Sequence, residues 1–170
     1  VGLNGSENNT IQTNNLTLNY EGIKLSISNL NTIYNNTIIN QTIIGLDITG
    51  SYNNTIYNNY FNNTNDAIDF NGSNYYNSTY DCNITNIIDL NCSGGNYWPN
   101  YEGKDSGSSS YPYNWSGDGV GDTNIPFVNG TIIDYLPLTY DNGTASGSCL
   151  TISSSTKLGG SVSCTTGDGI

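Results

Sequence analysis

The chain reads as all-β, specifically a short parallel β-solenoid closed by a loop-rich aromatic cap and followed by a β tail. Three observations predict this: a repeat of 22 to 23 residues, strand-like alternation of apolar residues within each repeat, and polar corners rich in asparagine. Asn9-Thr10-Ile11, Asn31-Thr32-Ile33 and Asn54-Thr55-Ile56 recur at spacings of 22 and 23. Gly22-Ile23-Lys24-Leu25, Gly45-Leu46-Asp47-Ile48 and Ala67-Ile68-Asp69-Phe70 form a second track at 23 and 22. The pairs Asn14-Asn15, Asn35-Asn36 and Asn58-Asn59 form a third.

Within a repeat, Ile23, Leu25 and Ile27, or Leu46 and Ile48, alternate with polar residues, the period of a strand with one buried face. Three short strands with polar corners make one solenoid coil. Stacked coils place like residues over like, so Ile and Leu fill the interior and Asn can ladder through side-chain amides or simply make solvated turns. A leucine-rich repeat shares this period, but its leucine consensus is missing. The coils are expected over 1–92, with an irregular last one around Cys82 and Cys92. Residues 93–141, which contain both tryptophans, Trp98 and Trp115, would cover the terminal coil, because an open end exposes core and strand edge. Residues 142–170, rich in Gly, Ser and Thr, alternate at Leu150-Thr151-Ile152 and Val162-Ser163-Cys164 and predict a β hairpin.

Composition narrows function. The 170 residues carry a net charge of −11, and the three cations are Lys24, Lys104 and Lys157. Nucleic acid and anionic membrane are poor partners for such a surface. No histidine exists to act as a base near neutral pH, and without Met or His the soft copper sites are unsupported. No apolar run is long enough to span a bilayer. The start at Val1, with no signal peptide in view, suggests a processed chain or a fragment.

Four cysteines form two sequence-close pairs, so disulfides Cys82–Cys92 and Cys149–Cys164 are expected, with buried thiols as the alternative. Glycosylation sequons occur at Asn4, Asn8, Asn15, Asn35, Asn40, Asn53, Asn62, Asn71, Asn77, Asn83, Asn91, Asn114, Asn129 and Asn142. These are 14 of the 30 asparagines, against roughly 7 from random placement at this Ser/Thr content, which argues for a secreted, N-glycosylated chain. An Asn/Thr-rich repeat producing sequons incidentally is the competing explanation.

The stretch Gly117-Asp118-Gly119-Val120-Gly121-Asp122, with Asp105 upstream, offers carboxylates and permissive backbone. It could hold a structural Ca²⁺ at Asp105, Asp118 and Asp122, or be a metal-free turn; it lacks the EF-hand spacing. It is a poor phosphate loop, because no Lys follows in register. Asp47 and Asp69 are expected on one outer face with Lys24 a coil earlier, a solvated ladder rather than a catalytic pair. No catalytic residues and no enzyme activity are expected. Fourteen tyrosines and two tryptophans could stack on sugars or serve the cap.

Gly94-Gly95-Asn96-Tyr97-Trp98, Gly117-Asp118-Gly119-Val120-Gly121-Asp122-Thr123 and Asp134-Tyr135-Leu136-Pro137-Leu138 carry a resemblance. Together with the Asn-Asn-Thr-Ile phrases, they resemble the NosD-like right-handed parallel β-helix repeats of many archaeal surface proteins, over roughly residues 5–140. The insert Ser106 to Ser116 and the tail depart from that pattern. The resemblance implies a fold more than a reaction, since some members are associated with copper-site maturation and related helices bind or cleave polysaccharides. The expectation is a structural extracellular glycoprotein whose partners are copies of itself and N-linked glycans. It would assemble a cell-surface filament or layer by strand complementation. A carbohydrate-binding or carbohydrate-cleaving module is the alternative.

Overall fold

The computed structural model describes residues 1–70, 73–107, 115–126 and 132–141. The predicted Cys149–Cys164 pair, the tail 142–170 and the sequons at Asn71, Asn114, Asn129 and Asn142 lie outside them. All regular elements in these residues are strands, and three full coils stack as a parallel β-solenoid. The first coil holds β1 (Gly2–Asn4), β2 (Thr10–Gln12) and β3 (Asn15–Thr17). The second holds β4 (Glu21–Ser26), β5 (Thr32–Tyr34) and β6 (Thr37–Ile39), and the third β7 (Ile44–Thr49), β8 (Thr55–Tyr57) and β9 (Tyr60–Asn62). A fourth begins with β10 (Ala67–Asp69). The sheets run β1-β4-β7-β10, β2-β5-β8 and β3-β6-β9.

Register follows the repeat. Ile11 pairs with Ile33 and Ile33 with Ile56; Leu16 pairs with Ile38 and Ile38 with Phe61; Leu3 pairs with Leu25 and Leu25 with Ile48. These columns form one continuous core. In the inner coils, strands of three residues suffice because a parallel neighbour on each side completes their hydrogen bonding.

Sharp corners make the coil. Each needs a left-handed residue, which Gly5 and Gly50 supply without cost and Asn8, Asn35, Asn40 and Asn53 at little cost. The residue after it turns inward to carry the ladder: Ser6, Asn9, Asn36, Gln41, Ser51 and Asn54. An Asn-Asn-Thr phrase is therefore a structural sentence: left-handed corner, inward amide, strand start.

The fourth coil is built from two separated pieces. Tyr75 bridges Thr55 and buries Tyr76, after which the chain leaves through a loop stapled by the Cys82–Cys92 disulfide. It returns at Tyr97, which bridges Tyr60, and Trp98 stacks on Phe61 with ring centroids 4.5 Å apart. A second cluster, Ile88, Cys92, Val120, Leu136 and Leu138, packs the excursion against the cap, which includes the antiparallel pair β11 (Ile125–Pro126) and β12 (Ile133–Asp134). Gly95 is required here: a Cβ would lie 2.0 Å from Asp134 Oδ1.

One expectation is corrected. Asp69 does not stack outside on Asp47, because Ala67 pairs with Leu46 and Asp69 with Ile48, so the fourth coil is shorter by one residue. A one-residue slip reverses the face, and Asp69 is buried.

Candidate functional site

The chemistry concentrates at the corners and at the two ends of the solenoid. Three amide ladders run the length of the stack in one direction. In two ladders the backbone N–H and the Nδ2–H of one Asn both donate to the Oδ1 of the residue one coil later, whereas in the third only the backbone N–H groups of Asn19 and Gln41 do so, to Gln41 Oε1 and Asn63 Oδ1 at 3.0 Å each. Asn31 reaches Asn54 at 2.8 and 3.0 Å, and Asn36 reaches Asn59 at 3.0 and 2.9 Å. A carbonyl oxygen has two lone pairs, and this arrangement fills both.

The last amide in each ladder has donors and no further coil, and a carboxylate, which only accepts, terminates it. Asn63 donates to Asp66 Oδ1 at 2.7 and 3.2 Å. Asn74 donates to Asp69 at 2.9 Å, as does Tyr76 Oη at 3.1 Å. Asn96 donates to Asp134 Oδ2 at 2.7 and 3.2 Å, joined by Trp98 Nε1 at 2.8 Å, while Leu136 N–H takes Oδ1 at 3.0 Å. Burial pushes the Asp134 carboxyl up to about 6 despite these donors, and burial likewise raises Asp66.

The opposite end differs. Strands β1, β2 and β3 each pair on one side only. Among the described residues no donor reaches Oδ1 of Asn9, Asn14 or Asn19, whose own amide groups donate onward or to Glu7 O, Gln12 O and Thr17 O. Among the described residues, the first coil thus has ladder oxygens and strand edges that no other coil meets.

The glycine-aspartate stretch is a hydrogen-bonded turn. Asp105 accepts from the N–H groups of Gly117 and Gly119 at 2.8 and 2.7 Å. Asp118 accepts from Val120 N–H at 2.8 Å and from Tyr80 Oη, and Asp122 from Ser106 and Gly107 N–H. Burial is the largest influence raising Asp105 and Asp118. The Ca²⁺ expectation at Asp105, Asp118 and Asp122 is not supported: protein donors use these oxygens, and the described residues hold no group of three or more side chains that could ligate a metal.

On the outer face Lys24 bridges Glu21 at 3.0 Å and Asp47 at 2.8 Å, the ladder pairing read from the repeat. Both carboxylate partners hold Lys24 charged, with Asp47 the larger influence and Glu21 next. The disulfide Cys82–Cys92 is formed. Of the sequon asparagines in the described residues, Asn4, Asn8, Asn15, Asn35, Asn40, Asn53, Asn62, Asn83 and Asn91 are exposed and Asn77 is half-buried. The buried ladder asparagines are a separate set. A cleft of about 180 Å³ lies beside the stacked rings of Tyr34 and Tyr57 and is also lined by Asn58, Thr79, Asp81 and Ile84.

Repeated coils, laddered corners and a capped end define the molecule as a parallel β-solenoid protein. Residues 1–103 match the family described as Periplasmic copper-binding protein (NosD), and the chain belongs to that family. No curated protein and no solved structure matches it. The described residues do not fit copper: the chain has neither His nor Met, and the two described cysteines, Cys82 and Cys92, are joined to each other. No helix among the described residues is long and apolar enough to cross a membrane.

Proposed function

We propose that the protein is a non-enzymatic structural glycoprotein of the extracytoplasmic surface, as in the archaeal proteins its repeats resemble, and a subunit of a filament or layer assembled head to tail. One observation carries this reading: the last coil is sealed by carboxylates and aromatics, whereas the edges of β1, β2 and β3 that face away from it have no partner among the described residues. A strand from another copy, bringing N–H and hydroxyl donors, would complete that edge. The segment 142–170 of a second copy has the composition for it, with many Ser and Thr and the cation Lys157. The family's printed name places its members in the periplasm, which supports an extracytoplasmic location.

Electron microscopy and sedimentation of the full chain beside a chain ending at Asp141 test the reading. Assemblies that disappear on truncation are the expected result. A monomer at high concentration whose segment 142–170 resists protease would overturn it.

The cleft at Tyr34 and Tyr57 favours a second reading, a carbohydrate-binding module, because the parallel, stacked rings beside Asp81 and Asn58 offer aromatic surface and polar groups for a sugar's apolar face and hydroxyls. Glycan-array binding lost in Tyr57→Ala would favour it over assembly.

A further inference from the structure

The corner between the first and second strands of each coil carries two left-handed columns. One is Gly5, Ile27 and Gly50; the other is Asn8, Leu30 and Asn53. The first and third coils use glycine and asparagine, the residues that tolerate this conformation. The second coil alone places Ile27 at φ 49° and Leu30 at φ 57°, and both point outward, 67 % and 50 % exposed. A β-branched residue at positive φ is strained, and exposure gains nothing from its apolar surface. Tyr52 extends the patch: its carbonyl accepts the Leu30 N–H at 3.2 Å, and the residue is 45 % exposed.

The residues flanking Leu30 say what covers it. Asn8 and Asn53 lie in the same column one coil to either side, about 4.8 Å away at strand spacing. Both begin Asn-Asn-Thr sequons, both are exposed, and neither side chain makes a hydrogen bond within the described residues. The arrangement recurs at another corner. Leu18, at φ 58° and 78 % exposed, lies beside Asn40, itself an exposed left-handed sequon asparagine, since Thr17 pairs with Ile39. Both left-handed leucines among the described residues therefore neighbour a glycosylation acceptor. By contrast, Nδ2 of Asn77 and Asn83 is spent on Ser78 O and Asp81 Oδ1.

We infer that Asn8, Asn53 and Asn40 carry N-linked sugars whose first rings lie over Leu30, Ile27, Tyr52 and Leu18. This rests on the glycoprotein part of the proposed function and assigns the sites within it. In the modification, the Asn amide nitrogen bonds to the anomeric carbon of a lipid-phosphate-linked oligosaccharide. The carbon–oxygen bond to phosphate breaks, the lipid phosphate leaves with that electron pair, and one amide proton passes to solvent. A pyranose ring suits the occupancy, having an apolar C–H face for the leucine and tyrosine and hydroxyls for water.

Glycopeptide mass spectrometry of the protein from its native source should find sugar on Asn8, Asn40 and Asn53. The variant Thr10→Val/Thr55→Val, made in the same host, removes two sequons while keeping the asparagines and β-branched strand starts; Thr10→Ser/Thr55→Ser keeps the sequons. Stronger binding of an apolar dye and longer retention on a hydrophobic column are expected for the Val variant only, with unchanged far-UV circular dichroism for both. A chain bare at every sequon refutes the glycoprotein reading itself. Sugar elsewhere with Asn8 and Asn53 bare overturns this inference alone, as does a fully glycosylated corner whose Val variant binds no more dye than the parent.

Discussion

Replacing Asn59 with alanine tests whether the ladders hold the solenoid together. Its Nδ2 donates to Ile33 O at 2.9 Å, Tyr57 O at 3.0 Å and Asn96 Oδ1 at 3.0 Å, and its Oδ1 accepts from Asn36 N and Nδ2 at 3.0 and 2.9 Å. The site is fully buried, so no water replaces these partners. With each hydrogen bond worth about 1 kcal/mol net, and more where a buried donor is orphaned, the loss is about 4–5 kcal/mol. That is a large part of the ~5–15 kcal/mol that holds a domain folded. At an m-value of about 2 kcal/mol per molar urea, the midpoint should fall by about 2 M. Urea titration followed by circular dichroism measures it, with Asn15→Ala, an exposed asparagine, as a control expected within about 0.5 kcal/mol. A midpoint within about 0.5 M of wild type for Asn59→Ala would refute the account and leave the apolar columns as the sole cohesive element.

Other outcomes follow from the same geometry. Because Asp134 sits at about 6 when folded against 3.8 as the ordinary value, the folded chain binds the proton more tightly; stability should be greatest below about pH 4, fall as pH rises to 6, and level off above it. The span is about 3 kcal/mol, Asp66, Asp105 and Asp118 act in the same direction, and Asp134→Asn should flatten the stability–pH curve. Cys82→Ala/Cys92→Ala should cost up to about 3 kcal/mol and alter near-ultraviolet dichroism around the cap, since Cys92 N–H bonds Asp118 O; an unchanged cap signal would show the staple to be idle. Ile27→Gly in unglycosylated protein should raise stability by about 1 kcal/mol by relieving the left-handed backbone, and a lower urea midpoint would contradict that strain. Adding Ca²⁺ or chelator should leave the melting temperature unchanged; a calcium-dependent rise would restore the metal site at Asp105, Asp118 and Asp122.

The coil period, the Ile columns and the Lys24–Asp47 ladder were legible because each repeats on adjacent coils, so one reading is checked by the next. What repeats once with an interruption was not. Gly95-Asn96-Tyr97-Trp98 restates Asn58-Asn59-Tyr60-Phe61, yet the 37-residue step hides the period, and the segment reads as the start of a cap rather than the last strand position of the fourth coil. The burial of Asp69 was missed for a related reason: dropping one residue from a coil leaves the local motif intact and reverses its face. The carboxylate caps had only a weak signal, two aspartates directly after the last complete repeat. The third, Asp134, comes 38 residues after its ladder partner Asn96. Sequon counting could not separate selection for glycans from coil geometry, because corner, ladder and strand-start requirements together spell Asn-Asn-Thr.

Ladder polarity sets what each end of the described stack requires. The donors that fill the ladder oxygens point from each coil toward the next, while a side-chain N–H also reaches back to a backbone carbonyl of the coil before, so the final ladder amide needs an acceptor ahead of it, and a carboxylate supplies one without adding donors that would clash with the amides. Sealing the first coil calls for the reverse, groups that donate into Oδ1 of Asn9, Asn14 and Asn19. Lysine or arginine would be the charged counterpart of the aspartate cap, but of the three lysines Lys24 is committed to Glu21 and Asp47. A coaxial stack of capped end on open end would set carboxylates against carbonyls, acceptor against acceptor. Self-assembly through this surface therefore has to bring a strand with free N–H and hydroxyl groups, and that requirement separates strand complementation from simple end-to-end stacking. Asp69→Asn together with Asp134→Asn, which turns two of the caps into amides with donors, should shift assembly toward end-to-end stacking where the chain still folds, and sedimentation of the chain ending at Asp141 would detect it.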